Sequence, residues 1–123
     1  MNQACFKFFL ASVLAAATGC EFHARSPEDY RSDTRALLET RSEQIQRCYD
    51  DVLAKNPNAS GTVVVSFTVM EDSGTIANPR VAPESTAPAP LGECIVKSVD
   101  GLALRPPDQR KGEATFVWEF TRS

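Results

Sequence analysis

Gly61-Thr62-Val63-Val64-Val65-Ser66-Phe67-Thr68-Val69-Met70 is the stretch whose reading decides the fold. Side chains alternate along a strand, so Val63, Val65, Phe67 and Val69 share one apolar face and Val64, Ser66, Thr68 and Met70 share a wetter one. That alternation over Thr62 to Met70 predicts a strand of an antiparallel sheet covered on one side only. Glu71-Asp72-Ser73-Gly74 has hairpin chemistry, and Thr75 to Ala82 is the returning strand. Pro79 within it cannot donate to a ladder, which assigns this second strand to a sheet edge.

Working outward, the pattern from Asp33 to Lys55 is helical. Ser32 or Asp33 is the candidate N-cap, and Leu38, Ile45, Cys48, Tyr49 and Val52 fall on one face. Asn56-Pro57 ends that helix, because proline disfavours helical geometry in the residue before it. A Pro/Ala loop from Pro83 to Pro90 precedes a shorter helix, Leu91 to about Leu102, with Leu91, Cys94, Ile95, Val99 and Leu102 on one side. Arg105-Pro106-Pro107 forces an extended crossing. Glu113 to Thr121 is a last strand with Ala114, Phe116, Trp118 and Phe120 facing inward. The predicted class is α+β, in the order α-β-β-α-β. A crossover returns a strand in the same direction, so strands two and three run parallel with strand one between them, antiparallel to both. Two helices then cover one face of a three-stranded sheet.

The first residues form a separate unit. Lys7 is followed by an almost wholly apolar run, Phe8 to Ala17, too short for the roughly 20 residues a bilayer-spanning helix needs. Residues 1–19 therefore read as a signal peptide. Thr18-Gly19-Cys20 resembles a lipobox, where bacterial lipoprotein precursors are diacylated on cysteine and cut before it. Ala17 stands where such sites usually carry Leu, so export with simple cleavage near Gly19 is the alternative. With Cys20 lipidated, the acyl chains supply the membrane affinity. Residues 20–32 read as a tether of about 12 residues, reaching roughly 40 Å, and 33–123 as the domain. Glu21, where inner-membrane retention uses Asp in enteric bacteria, favours the outer membrane over the inner. The expected location is the periplasmic side of the cell envelope.

Cysteine usage follows from export. Cys5 leaves with the signal peptide and Cys20 becomes a thioether, which leaves Cys48 and Cys94 as a pair in an oxidising compartment. A disulfide between them closes a loop of about 45 residues, for which chain entropy gives about 4 kcal/mol. Two buried free thiols are the alternative. No metal site is expected, since no third or fourth soft ligand is at hand and the single histidine, His23, falls in the tether.

Charge excludes other classes. Of 123 residues, 13 are Lys or Arg and 16 Asp or Glu, for a net charge of −3. Arg25, Arg31, Arg35, Arg41 and Arg47 are interleaved with Glu28, Asp29, Asp33, Glu39 and Glu43, which reads as a solvated face rather than a phosphate-tracking stripe. Nucleic acid is not an expected partner. Nor is catalysis expected. His23 lies away from any nucleophile, Asp50-Asp51 point in different directions on a helix, and Glu71-Asp72 belong to a turn. Cys48 and Cys94 lack a Cys-x-x-Cys context that would lower a thiol pKa, which leaves a thiol-redox function only as a minor alternative. No cofactor and no small-molecule substrate is inferred.

The residues also resemble a known family, the AgmX/PglI-type C-terminal domain, a relative of the TonB C-terminal domain found in myxobacterial and related envelope proteins. The matching residues are Ile45-Gln46-Arg47-Cys48-Tyr49, Asn56-Pro57 with Gly61, Gly74, Cys94-Ile95-Val96, Arg105-Pro106-Pro107 and the aromatic final strand, over roughly residues 33 to 121. The resemblance implies coupling or scaffolding in the envelope, by analogy with domains that bind an extended peptide from an outer-membrane partner. Two features depart from TonB-type proteins: a cleavable signal and short tether replace the transmembrane anchor and Pro-rich arm, and the aromatic-Pro-Phe motif expected for the family is altered to Trp118-Glu119-Phe120.

The candidate binding site is the last strand. With Pro79 blunting one sheet edge, the unpaired backbone of Glu113 to Thr121 could accept a partner strand, and Thr115, Val117 and Glu119 would contact that partner. The competing expectation is a purely structural lipoprotein whose edge, guarded by Glu113 and Glu119, binds nothing.

Overall fold

The computed structural model describes residues 23–122. The signal peptide and Cys20 lie outside the described residues. The sheet is three-stranded: β1 (Gly61–Val69), β2 (Ile76–Val81) and β3 (Gly112–Phe120), in the order β2-β1-β3. β1 is antiparallel to both neighbours, so β2 and β3 are parallel, as the crossover argument requires. Val63, Val65, Phe67 and Val69 are at most 1% exposed and carry the core face of the sheet.

Three helices rather than two supply the other side of the core. The single helix expected from Asp33 to Lys55 is two, α1 (Pro27–Glu39) and α2 (Ser42–Lys55). Thr40 and Arg41 donate their amides only three residues back, to Leu37 and Leu38. The Thr40 and Ser42 hydroxyls also take the carbonyls of Leu37 and Glu39 (2.6 and 2.8 Å), the local side-chain competition by which Ser and Thr interrupt helices. Leu38 and Ile45, one on each helix, are both buried.

The expected helix start is corrected as well. Ser26, not Ser32 or Asp33, is the N-cap: its hydroxyl accepts from the Asp29 amide at 3.1 Å, Pro27 takes the first turn, and Glu28 and Asp29 meet the positive end of the helix. The tether therefore does not extend to residue 32. The His23 carbonyl accepts from the Gln109 amide at 2.8 Å, and Arg25 is 5% exposed, so the folded domain begins by His23.

α2 ends at Asn56, whose amide reaches the Val52 carbonyl. Tyr49 donates its hydroxyl to the Ala59 carbonyl at 2.7 Å and tilts against Phe120 at 4.9 Å, which fastens the end of β3 to α2. The second of the expected helices is the third observed, α3 (Ala89–Val99), which stops short of the expected Leu102 and buries Leu91, Ile95 and Val99. Leu102 and Leu104 instead clamp the hairpin, with the Ile76 amide donating to the Leu102 carbonyl and the Leu104 amide to the Gly74 carbonyl, both at 2.7 Å. Gly74 has φ +72°, and a Cβ there would run into the Leu104 carbonyl, so only glycine fits this turn. A disulfide joins Cys48 of α2 to Cys94 of α3 with the Cα atoms 5.8 Å apart.

Candidate functional site

The two edges of the sheet are built differently. On β2 the register with β1 slips between Ser66 and Thr68, where Asn78 and Pro79 face one residue of β1. Asn78 takes φ +56°, so this is a bulge, and proline occupies it without removing a ladder bond. β3 pairs with β1 in unbroken register from Gly61↔Phe120 to Val69↔Gly112 and contains no proline.

The direction of the β3 backbone groups follows from hydrogen bonds on the far side of β1. The Val64 amide donates to the Ser85 hydroxyl at 2.9 Å and its carbonyl accepts from the Ala82 amide at 2.7 Å. The Thr62 amide likewise donates to the Thr86 hydroxyl at 2.8 Å, and its carbonyl accepts from the Thr86 and Ala87 amides. Both groups of each residue are thus turned away from β3. In an antiparallel ladder, facing residues exchange both bonds or neither. Val117 and Glu119, which face Val64 and Thr62, therefore aim both backbone groups at the open side, and alternation gives Thr115 and Glu113 the same direction.

Side chains on β3 alternate to match. Glu113, Thr115, Val117 and Glu119 are exposed on the outer face, Val117 at 59%. Thr115 meets the Ser66 hydroxyl at 3.1 Å, and Glu113 accepts from the Thr68 hydroxyl at 3.1 Å. Ala114, Phe116, Trp118 and Phe120 are half-buried against the core, with the Phe116 ring stacked on Phe67 at 5.9 Å. The structure thus brings Thr115, Val117 and Glu119 together on one edge.

That edge opens into a groove of about 640 Å³ between β3 and α1, with Tyr30, Arg31, Thr34 and Arg35 on the helix wall and residues 110–117 opposite. Tyr30 props the groove at one end. Its hydroxyl donates to the Arg110 carbonyl at 2.9 Å, and its ring lies so close to Gly112 that a Cβ there would sit 2.9 Å from it. Burial, then the nearby Asp108 carboxylate, pushes the Tyr30 hydroxyl pKa up. Arg35 lies over the Phe116 ring at 5.3 Å.

α1 is held by a buried charge cluster that sequence reading missed. Asp108 is fully buried and accepts from the Arg25 amide at 2.8 Å and the Arg110 amide at 2.9 Å. The Arg25 guanidinium pairs with Asp33 at 2.7 Å, reaches Asp108 at 3.5 Å and donates to the Pro106 carbonyl at 2.7 Å. Arg110 pairs with Asp108 at 3.2 Å and donates to the Arg25 carbonyl. Burial pushes the Asp108 carboxyl up. The amides of Arg25 and Arg110 and the Arg110 guanidinium outweigh it and hold the carboxyl below the usual carboxylate range. The Ser26-Pro27-Glu28-Asp29 cap was the available clue that α1 starts early enough to reach this cluster.

No group of three or more His, Cys, Asp or Glu able to hold a metal occurs among the described residues, and none of their helices is long and apolar enough to cross a membrane. No family model matches the chain, and no curated protein matches it at a significant level. Among solved structures, the chain is similar to the NMR solution structure of the Helicobacter pylori TonB C-terminal domain. The TM-score is 0.47 at 17% sequence identity, over 66% of this chain and 79% of that one.

Proposed function

We propose that this protein is a non-catalytic cell-envelope module that captures an extended segment of a partner protein as a fourth strand on β3. The observation that carries the reading is the β3 edge: nine residues in unbroken register, with both backbone groups of Thr115, Val117 and Glu119 aimed at the open side, where Thr115 and Val117 line the groove. Affinity comes from main-chain hydrogen bonds and selectivity from the alternate side chains of the guest. A thiol-redox function is disfavoured because Cys48 is 2% exposed and neither Cys48 nor Cys94 has a Cys-x-x-Cys context to lower its thiol pKa.

The envelope location and lipid anchor are part of the proposal and rest on residues 1–20. With Arg25 locked against Asp108, a lipidated Cys20 would lie within about 17 Å of the domain along the chain, less than half the reach of a 12-residue tether. The domain would work at the membrane surface, with the Arg25–Asp108 end turned toward the lipid. Intact mass spectrometry of the protein from its native envelope tests the anchor. A chain starting at Cys20 with acyl mass supports it, and an unlipidated chain starting elsewhere removes it.

Val117→Pro tests the edge. Its amide points away from β1, so the variant should keep the fold and lose a partner that co-purifies with the wild type. Unchanged capture by the folded variant would remove strand addition and leave a structural lipoprotein without a dedicated ligand.

A further inference from the structure

We infer that the β3 groove selects an acidic guest, an extended segment with two carboxylates two residues apart, and that Arg31 and Arg35 of α1 make the selection. The inference rests on the strand-addition reading and names the partner's chemistry.

A strand added beside β3 alternates its side chains as β3 does. One set lies on the outer face beside Thr115 and Val117. The other lies on the inner side, beneath α1 and next to Ala114 and Phe116. Beneath α1 the surroundings are cationic. Arg31 and Arg35 are exposed, and neither is in an ion pair among the described residues. Glu113, the one acid lining the groove, is turned to the outer face and held by the Thr68 hydroxyl at 3.1 Å. In a chain of net charge −3, this is a local excess of positive charge facing an unfilled strand position.

Spacing sharpens the match. Tyr30 meets Gly112 and Arg35 meets Phe116, so α1 and β3 run in the same sense. Arg31 and Arg35 are one turn apart, about 6 Å along the helix. Same-face residues of a strand are about 6.7 Å apart. Two carboxylates at positions i and i+2 of the guest therefore reach one arginine each. Arg35 can accept a carboxylate at its edge while its plane stays over Phe116, which a lysine would not do. The residue between the two acids falls on the outer face beside Val117, 59% exposed, where an apolar β-branched side chain fits.

The test is selection of a displayed library of random nonapeptides on the full chain, compared with an Arg31→Glu/Arg35→Glu variant. Both residues are exposed, and circular dichroism checks that the variant folds. The inference expects the wild type to enrich an acid-apolar-acid pattern. The double variant should lose it or exchange it for basic residues. A selected peptide should bind roughly tenfold more weakly when its two acids become Gln, the effect of two partly screened ion pairs, and the difference should shrink with added salt. Enrichment of extended peptides without acids, abolished by Val117→Pro, would overturn the acidic preference and leave strand addition standing. No enrichment on any protein would overturn both. Binding of the wild type to phosphatidylglycerol vesicles, lost in the double variant and without any peptide selection, would assign the arginines to lipid and overturn the inference.

Discussion

The two edges of this sheet begin from the same central strand and end in opposite conditions. β2 has six residues, a bulge at Asn78-Pro79, and α3 packed so closely that a Cβ on Gly92 would sit 2.8 Å from the Val81 side chain. β3 has nine residues, no bulge, and a helix that stands off it to leave a groove. The first edge is protected in the ways proteins use to prevent unwanted pairing; the second keeps its pairing groups available. An edge left open beside one that is blunted points to use of the open edge, because an unused strand of that length is an aggregation hazard.

The contrast depends on what holds each side, and it can be broken there. On the β2 side, α3 is bound to α2 by the Cys48–Cys94 bridge, which closes a loop with a sequence separation of 46. Cys48→Ala with Cys94→Ala should lower unfolding free energy by about 4 kcal/mol, an upper figure, read from urea midpoints. If the two sides are supported independently, peptide binding at β3 should persist in this variant below its unfolding transition.

On the β3 side, α1 is held by Asp108. Asp108→Asn keeps one acceptor oxygen where the Arg25 and Arg110 amides use two, so one amide loses its partner, and it strips the buried Arg25 of one counter-charge, for an expected loss of about 3 kcal/mol. Here the effect should reach the groove, because Arg25 precedes α1 directly, and guest binding should fall with stability. The pH dependence has a definite sign. The Asp108 carboxyl is held below its ordinary value, so its stabilisation is complete above about pH 4. It is lost as pH falls through the lower value in the folded protein. Urea midpoints measured downward from neutral pH should show this acid-side loss in the wild type and not in Asp108→Asn.

Tyr30→Phe removes the prop to the Arg110 carbonyl while keeping the ring on Gly112, and should cost about 0.5–1 kcal/mol. The smallest change in stability is expected from Val117→Pro, within about 0.5 kcal/mol, because no bond to β1 is lost. A large destabilisation by that substitution would mean that the Val117 amide points into the sheet, and the assignment of the open backbone groups would be wrong.

Much of the sheet was legible because its signals are local. Period-two alternation from Val63 to Val69 marks the central strand, Gly74 marks the hairpin, and Pro79 marks the blunted edge. The crossover then leaves a single arrangement for the last strand. The helical half was read less well. Leu38 and Ile45 fit one continuous periodicity, which hid the break at Thr40. That break depends on hydroxyls returning to carbonyls, and periodicity does not report it. Starting the helix at Asp33 also left Arg31 outside it, so Arg31 and Arg35 read as solvated surface rather than as neighbours one turn apart.

The sequence by itself determined the α+β class, the order of strands in the sheet, the face that carries the core and which edge is blunted. Each follows from side-chain alternation and from backbone restrictions at proline and glycine, which act over a few residues. Only the tertiary structure decided that α1 begins at Pro27, that Arg25 pairs with an aspartate 83 residues away, and that a cationic helix stands beside the open strand. Those features arise where distant segments bury charge together, and no local pattern records which segments will meet.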